Sequence, residues 1–328
     1  MQTMQGNAAD RASDRSGRLP ISSVITSGEW GKTALSTTVA NYIASDSDTQ
    51  SLFRNEFDRK PFRFQHTLHH FPIFSMDAMA ELAVRLSSKH GRCYFDLGDA
   101  KAKDGWSAGA TSVTAKDVLA GIANNRALVI LKRVHLEPEY KPVLESFEAE
   151  LSEMFGINIG SRYRDGLMTL LVASPGRVTP YHVDGEANLL MQIQGTKSVY
   201  IFDGNNREIL PTHELEGFWA GDINATRYKE DMQDRAWEYQ IGPGDGVTNP
   251  VTFPHWVKTG SEVSIALSVN FKRVTDDVAD AYKVNKQLRK LGLNPTQPGR
   301  AKTIDHLKGM AYRTAKLARR SLKAKSKS

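Results

Sequence analysis

Between residues 167 and 272 the chain is a succession of short β-rich runs, at 167–174, 179–184, 188–193, 196–203, 237–242, 247–252 and 262–272, with Gly, Pro and Asn between them. Strands this short and this evenly punctuated bury their apolar faces by stacking, which points to a sandwich or a barrel. That requirement constrains the fold more than any other feature of the sequence.

Helical patterns flank this region. Residues 76–89 alternate as an amphipathic helix with Asp77 near its start, and a weaker helical pattern covers Trp30 to Ala44. ALVILK at 127–132 reads as a buried strand, and Pro142 to Met154 as a helix with Val143, Leu144, Phe147, Leu151 and Met154 on one side. After Val274 the helical period returns, is interrupted by Pro and Gly at 294–299, and resumes from about Lys302 with Ile304, Leu307, Met310 and Leu317. The expected class is mainly β with flanking helices. Residues 1–20 are expected to be disordered, 21–165 to form an α+β lead-in packed on the β-rich body, 166–274 to form that body, and 275–328 a helical region ending in a basic tail that frays into solvent.

At 328 residues the chain can bury one substantial core. Its single cysteine, Cys93, supports no internal disulfide framework, and neither a signal-peptide pattern nor a run of about 20 apolar residues is present. The expectation is a soluble cytoplasmic protein without a membrane partner. Of the net charge of +6, residues 299–328 carry ten Lys/Arg against Asp305, so the remainder is slightly acidic. Arg313, Lys316, Arg319, Arg320, Lys323, Lys325 and Lys327 can contact the phosphates of a nucleic acid, or an acidic partner, by counterion release. A solvated helix end is the plainer reading, because Tyr312 is the one aromatic nearby.

His182-Val183-Asp184 sets two ligand-type side chains at i and i+2, hence on one face of a strand, with Val183 on the other. His255, in the turn-rich stretch GPGDGVTNPVTFPHWVKTG, adds a third ligand from a distant strand. Two histidines and a carboxylate form the facial set used by non-haem Fe(II), although Zn²⁺ accepts the same donors. His135-Leu136-Glu137 has similar chemistry at the end of a strand without partners, and reads as structural. Glu186 is a further candidate ligand, with a supporting or surface role preferred because Gly185 interrupts the strand. In SIALSVNF, Ala266, Ser268 and Asn270 can line a cavity while Ile265, Leu267, Val269 and Phe271 pack behind them. Lys197, in the apolar strand TKSVYIF, is either an edge lysine facing solvent or a buried cation suited to a dicarboxylate.

These residues resemble the JmjC and cupin-like Fe(II)- and 2-oxoglutarate-dependent oxygenases, particularly the group containing the asparaginyl hydroxylase of hypoxia-inducible factor, and bacterial cupin-like proteins. The resemblance runs over roughly residues 50–275. It includes His182 and Asp184 as the family's H-x-D, His255 within PHWV, and Lys197 fifteen residues after His182. It extends to Thr179 before the triad, to Asn188, and to Asn270 fifteen residues after His255. The upstream NEFDRKPFRFQH, with Lys60 and Pro61, is similar to the segment that leads into such domains.

The resemblance implies a double-stranded β-helix of cupin (jelly-roll) type, with Fe(II) on His182, Asp184 and His255, and with O₂ and 2-oxoglutarate as co-substrates. The 2-oxoglutarate would be held by Thr179, Asn188, Lys197 and Asn270. It further implies hydroxylation of a protein side chain or a small metabolite. The alternatives are a JmjC-type N-demethylase and a metal-binding cupin without oxygenase activity, such as an isomerase or a binding protein. The 203–237 loop, with Phe218, Trp219, Tyr228 and Trp237, reads equally as a substrate lid and as a packed insertion. The helices after the β-rich region offer an interface for a homodimer.

Overall fold

The computed structural model describes residues 41–105 and 113–325, all within one compact unit, Ala40–Ser328. The polar segment 1–20, and the part of the Trp30–Ala44 helical pattern up to residue 40, lie outside the described residues. From residue 41 the chain is extended rather than helical, because Ile43 forms a β-bridge with His66 and the Tyr42 and Ile43 amides donate to the buried Glu150 carboxylate.

Among the described residues four α-helices precede the β-rich region: α1 (Ser47–Glu56), α2 (Met76–Ser87), α3 (Ala115–Ala120) and α4 (Lys141–Phe155). Ser75 caps α2 by accepting a hydrogen bond from the Ala78 amide, which fixes the start of that helix. The strands are β1 (Arg63–Gln65), β2 (Cys93–Asp96), β3 (Leu128–Lys132), β4 (Tyr163–Ala173), β5 (Val178–His182), β6 (Ala187–Gln194), β7 (Lys197–Ile201), β8 (Trp237–Ile241), β9 (Asp245–Asn249), β10 (His255–Thr259) and β11 (Ser264–Arg273). Three more helices, α5 (Thr212–Trp219), α6 (Asp277–Lys290) and α7 (Lys302–Lys325), complete the elements used below.

All strand pairs are antiparallel and form two sheets, a seven-stranded one in the order β1-β9-β6-β11-β4-β3-β2 and a four-stranded one in the order β5-β10-β7-β8. The larger sheet has two apolar faces. Val129, Leu131, Met168, Leu170, Leu189, Met191, Leu267, Val269 and Phe271 point to the helical layer, where they join Phe53, Met79, Leu82 and Phe147 in the main core. Their alternating neighbours face the four-stranded sheet: Leu190, Val247 and Ala266 pack there with Val199, Ile201, Ile241, Phe253 and Val257. Gly246 lies opposite Phe64 on β1, whose ring fills the place a side chain there would take.

Several boundaries differ from the sequence reading for clear physical reasons. β1 and β2 are only three and four residues long and sit at the two edges of the larger sheet, so neither carries a periodic signal. Helix α7 runs to Lys325 rather than fraying after Lys316. Arg313 on α7 is committed to Asp277 and Asp280 on α6, which takes it out of the set of basic side chains free to meet phosphate. Among the described residues no helix is long and apolar enough to cross a membrane.

Candidate metal centre

β5 ends at His182, so Asp184 lies just past the strand, yet the alternation holds. His182 and Asp184 face the space between the sheets, while Val183 packs with Leu210, Leu215 and Tyr282. His255 opens β10 and is the direct cross-strand neighbour of His182. Residues paired in this way carry their side chains on one face at close range, and the two imidazole rings lie 4.2 Å apart between centroids.

Asp184 Oδ2 is 3.7 Å from His255 Nε2 and 4.0 Å from His182 Nε2, and the three ligand atoms lie within 4.8 Å of one another. Among the described residues this is the one group of three or more such side chains close enough to share an ion.

The donor set fits a divalent metal. His182 Nδ1 lies 2.7 Å from the Pro180 carbonyl oxygen, an acceptor that makes Nδ1 the protonated nitrogen and leaves Nε2 as the ligand. His255 Nδ1 lies 3.2 Å from the Phe253 carbonyl oxygen and 2.9 Å from the Asn249 amide nitrogen, while the buried Asn249 Oδ1 is without a hydrogen-bond partner. With that amide turned over, Oδ1 accepts from His255 Nδ1–H and Nε2 is again left for an ion, but the bond from Asn249 Nδ2 to the Phe253 carbonyl oxygen at 3.3 Å is given up. Burial, followed by the neighbouring His182, pushes the His255 imidazole pKa down, which favours the neutral form that coordinates metals.

Behind the triad lies a cavity of about 820 Å³ walled by both sheets. Its apolar wall includes Leu171, Leu190, Val199 and Val257, and Lys197 and Thr179 stand among them. Lys197 is 4 % exposed, which removes the solvent-facing alternative. Burial alone lowers its ammonium to about 8, without a contribution from any carboxylate. Asn188 Nδ2 donates to Asn270 Oδ1 and to Ser268 Oγ, at 2.6 Å in each case, because Asn188 and Asn270 are register partners on β6 and β11. The structure therefore brings His182, Asp184, His255, Thr179, Asn188, Lys197 and Asn270 to one cavity.

Sequence reasoning missed Asn249, since only its place on β9 beside Asn188 reveals its relation to His255. Glu186 lines the same cavity but pairs with Lys272 at 3.7 Å, and burial followed by Asp184 raises its carboxyl. His135 accepts from the Met168 amide, and Glu137 is held by Lys89 and Arg92, so that pair is structural. The 203–237 insertion divides between its two readings. Phe218 and Ile223 line the cavity, whereas Met232 and Tyr228 pack with Tyr181 and Phe202. Gly185 separates the ligand from Glu186 because the Trp219 ring occupies the space beside it, 3.2 Å from where a Cβ would be.

No family model and no curated protein matches the chain. Solved structures that resemble it include Escherichia coli ycfD, with a TM-score of 0.48 and 15% identity over 80% of this chain and 63% of that one. A second structure, described as the Escherichia coli ribosomal oxygenase YcfD, gives 0.47 and 14% over 84% and 68%. A third, YcfD in complex with cobalt and 2-oxoglutarate, gives 0.46 and 16% over 79% and 61%. The chain thus spans about 63% of the length of the first of these structures.

Proposed function

We propose that the chain is an Fe(II)- and 2-oxoglutarate-dependent oxygenase that hydroxylates a protein side chain or a small metabolite. The two facing sheets then form the double-stranded β-helix of a cupin-type domain, centred on residues 166–274. One observation carries the reading: a two-histidine, one-carboxylate face opens onto an apolar cavity that also holds a buried, carboxylate-free lysine. A metal-binding cupin without an acidic co-substrate has no use for such a cation, whose burial is unfavourable until an anion meets it.

In this reading His182, Asp184 and His255 hold the iron, which with O₂ and 2-oxoglutarate supplies C–H oxidation coupled to decarboxylation to succinate. Lys197 receives the carboxylate of 2-oxoglutarate remote from the metal, and the Thr179 hydroxyl assists it. Asn188 and Asn270, tied together through Ser268, present a fixed polar wall to the same molecule. The apolar cavity wall excludes water and so strengthens the Lys197 contact. Phe218 and Ile223 border the space left for substrate. The single free cysteine, Cys93, accords with a cytoplasmic setting.

Anaerobically purified protein given Fe(II), 2-oxoglutarate and O₂ is expected to form succinate slowly without added substrate, and His182→Ala is expected to form none. Tight Fe(II) binding with neither succinate formation nor 2-oxoglutarate binding would turn the assignment to a non-oxygenase cupin.

A further inference from the structure

We infer that Asp58, which touches none of the three ligands, is a positioning residue for the metal centre; this rests on the proposed metal-dependent function. Asp58 follows α1 in the segment NEFDRKPFRFQH and adopts φ +60°, a left-handed conformation that Asp tolerates better than most residues. Its side chain is 6 % exposed. Oδ1 accepts from the Val251 amide at 3.0 Å and from Arg273 Nη2 at 2.8 Å. Oδ2 accepts from Arg273 Nε at 2.6 Å and from the Tyr163 hydroxyl at 3.1 Å.

The Val251 contact links this network to the chemistry. Val251 lies in the turn between β9 and β10, and the next residue, Thr252, is held at φ +63°, where a β-branched side chain is disfavoured. That conformation lets the Thr252 amide donate to the backbone carbonyl oxygen of Asp184 at 2.9 Å. Three residues later the same turn delivers His255. One side of the turn is thus pinned by Asp58, and the other side fixes one ligand and introduces a second. Arg273 and Tyr163 are register partners at the ends of β11 and β4, so the larger sheet sets the position of the Asp58 carboxylate. Loss of that carboxylate frees a strained turn, and Asp184 and His255 lose their common reference.

Equilibrium binding of Co(II), with the Co(II) visible spectrum as a report on ligand geometry, tests this. Asp58→Asn keeps the side-chain shape but cannot accept from Arg273 through both atoms. Its Co(II) affinity is expected to fall at least about tenfold, the lower range for disturbing the groups that orient metal ligands, with an altered spectrum. Glu137→Gln, which breaks the remote Lys89 and Arg92 pairs, provides a destabilised control that should keep both the wild-type affinity and the wild-type spectrum. If Asp58→Asn does not fold, Tyr163→Phe removes one donor to the same carboxylate and should shift affinity and spectrum in the same direction by less. Unchanged binding and spectrum in a folded Asp58→Asn (or, failing that, in Tyr163→Phe), or an equal loss in Glu137→Gln, overturns the inference while leaving the metal centre standing. A wild-type chain that binds no Co(II) overturns both.

Discussion

Lys197 is the residue on which the co-substrate reading turns, and its burial makes a pH prediction. With the ammonium lowered to about 8, the cation is fully present below that pH and is lost as pH rises through it. An anionic co-substrate binds the cation, so affinity for 2-oxoglutarate should be flat below about pH 8 and decline above it. Lys197→Arg, whose guanidinium stays charged, should not show the decline attributable to this group. Lys197→Met should weaken 2-oxoglutarate binding by roughly 100-fold, an effect of the size expected for a buried charge pair losing one partner, with metal affinity retained. Titrations of the Mn(II)-loaded protein over pH check all three. At His255, Asn249→Leu removes the side-chain amide beside Nδ1 and should lower metal affinity about 10- to 100-fold, read by competition with a chelating dye.

At the scale of elements, the site depends on strand pairing. β10 lies between β5 and β7, so His255 is placed against His182 on one side and Thr259 against Lys197 on the other. The two histidine ligands and the lysine are therefore set in register by a single strand. The larger sheet holds its cavity-facing residues only because its opposite face is filled by α1, α2 and α4. Phe147 of α4, fully buried, is central to that layer, and Phe147→Ala should cost about 3–5 kcal/mol, measured by urea unfolding. This core loss should leave the site chemistry of the remaining folded molecules intact.

The long strands and the helices α2, α4, α6 and α7 were legible in the sequence because each carries several turns of a period, whereas the shorter α1, α3 and α5 were not read as helices. The cavity-lining alternation of Ser268 and Asn270 against Leu267, Val269 and Phe271 was legible for the same reason. β1 and β2 were not, because edge position and short length leave no period to detect, whereas the strand that carries His255 was inferred from the turn-rich stretch before it rather than from a period. Asn249, Ser268 as the link between Asn188 and Asn270, and the Asp58 network arise from register between residues far apart in sequence, which no local pattern encodes.

Over the whole molecule, charge and chemistry are separated. The basic excess belongs to the C-terminal helix, while the metal centre lies between two sheets to which α7 contributes no strand. Helix α7 is fastened to α6 through Arg313 and His306 on Asp277. A chain ending after Thr314 keeps these contacts and should bind metal and 2-oxoglutarate as the full chain does. Any salt-dependent affinity for nucleic acid should disappear with the removed lysines and arginines, measured by fluorescence anisotropy.

The most direct test of the central claim is an anaerobic titration of 2-oxoglutarate into the Fe(II)-loaded protein, followed by the visible charge-transfer absorption that arises when a 2-oxo acid chelates ferrous iron. The oxygenase assignment predicts a saturable band in the wild-type chain, no band in His182→Ala, and a band displaced to far higher 2-oxoglutarate concentration in Lys197→Met. Stoichiometric Fe(II) binding with no band at any concentration of 2-oxoglutarate would contradict it.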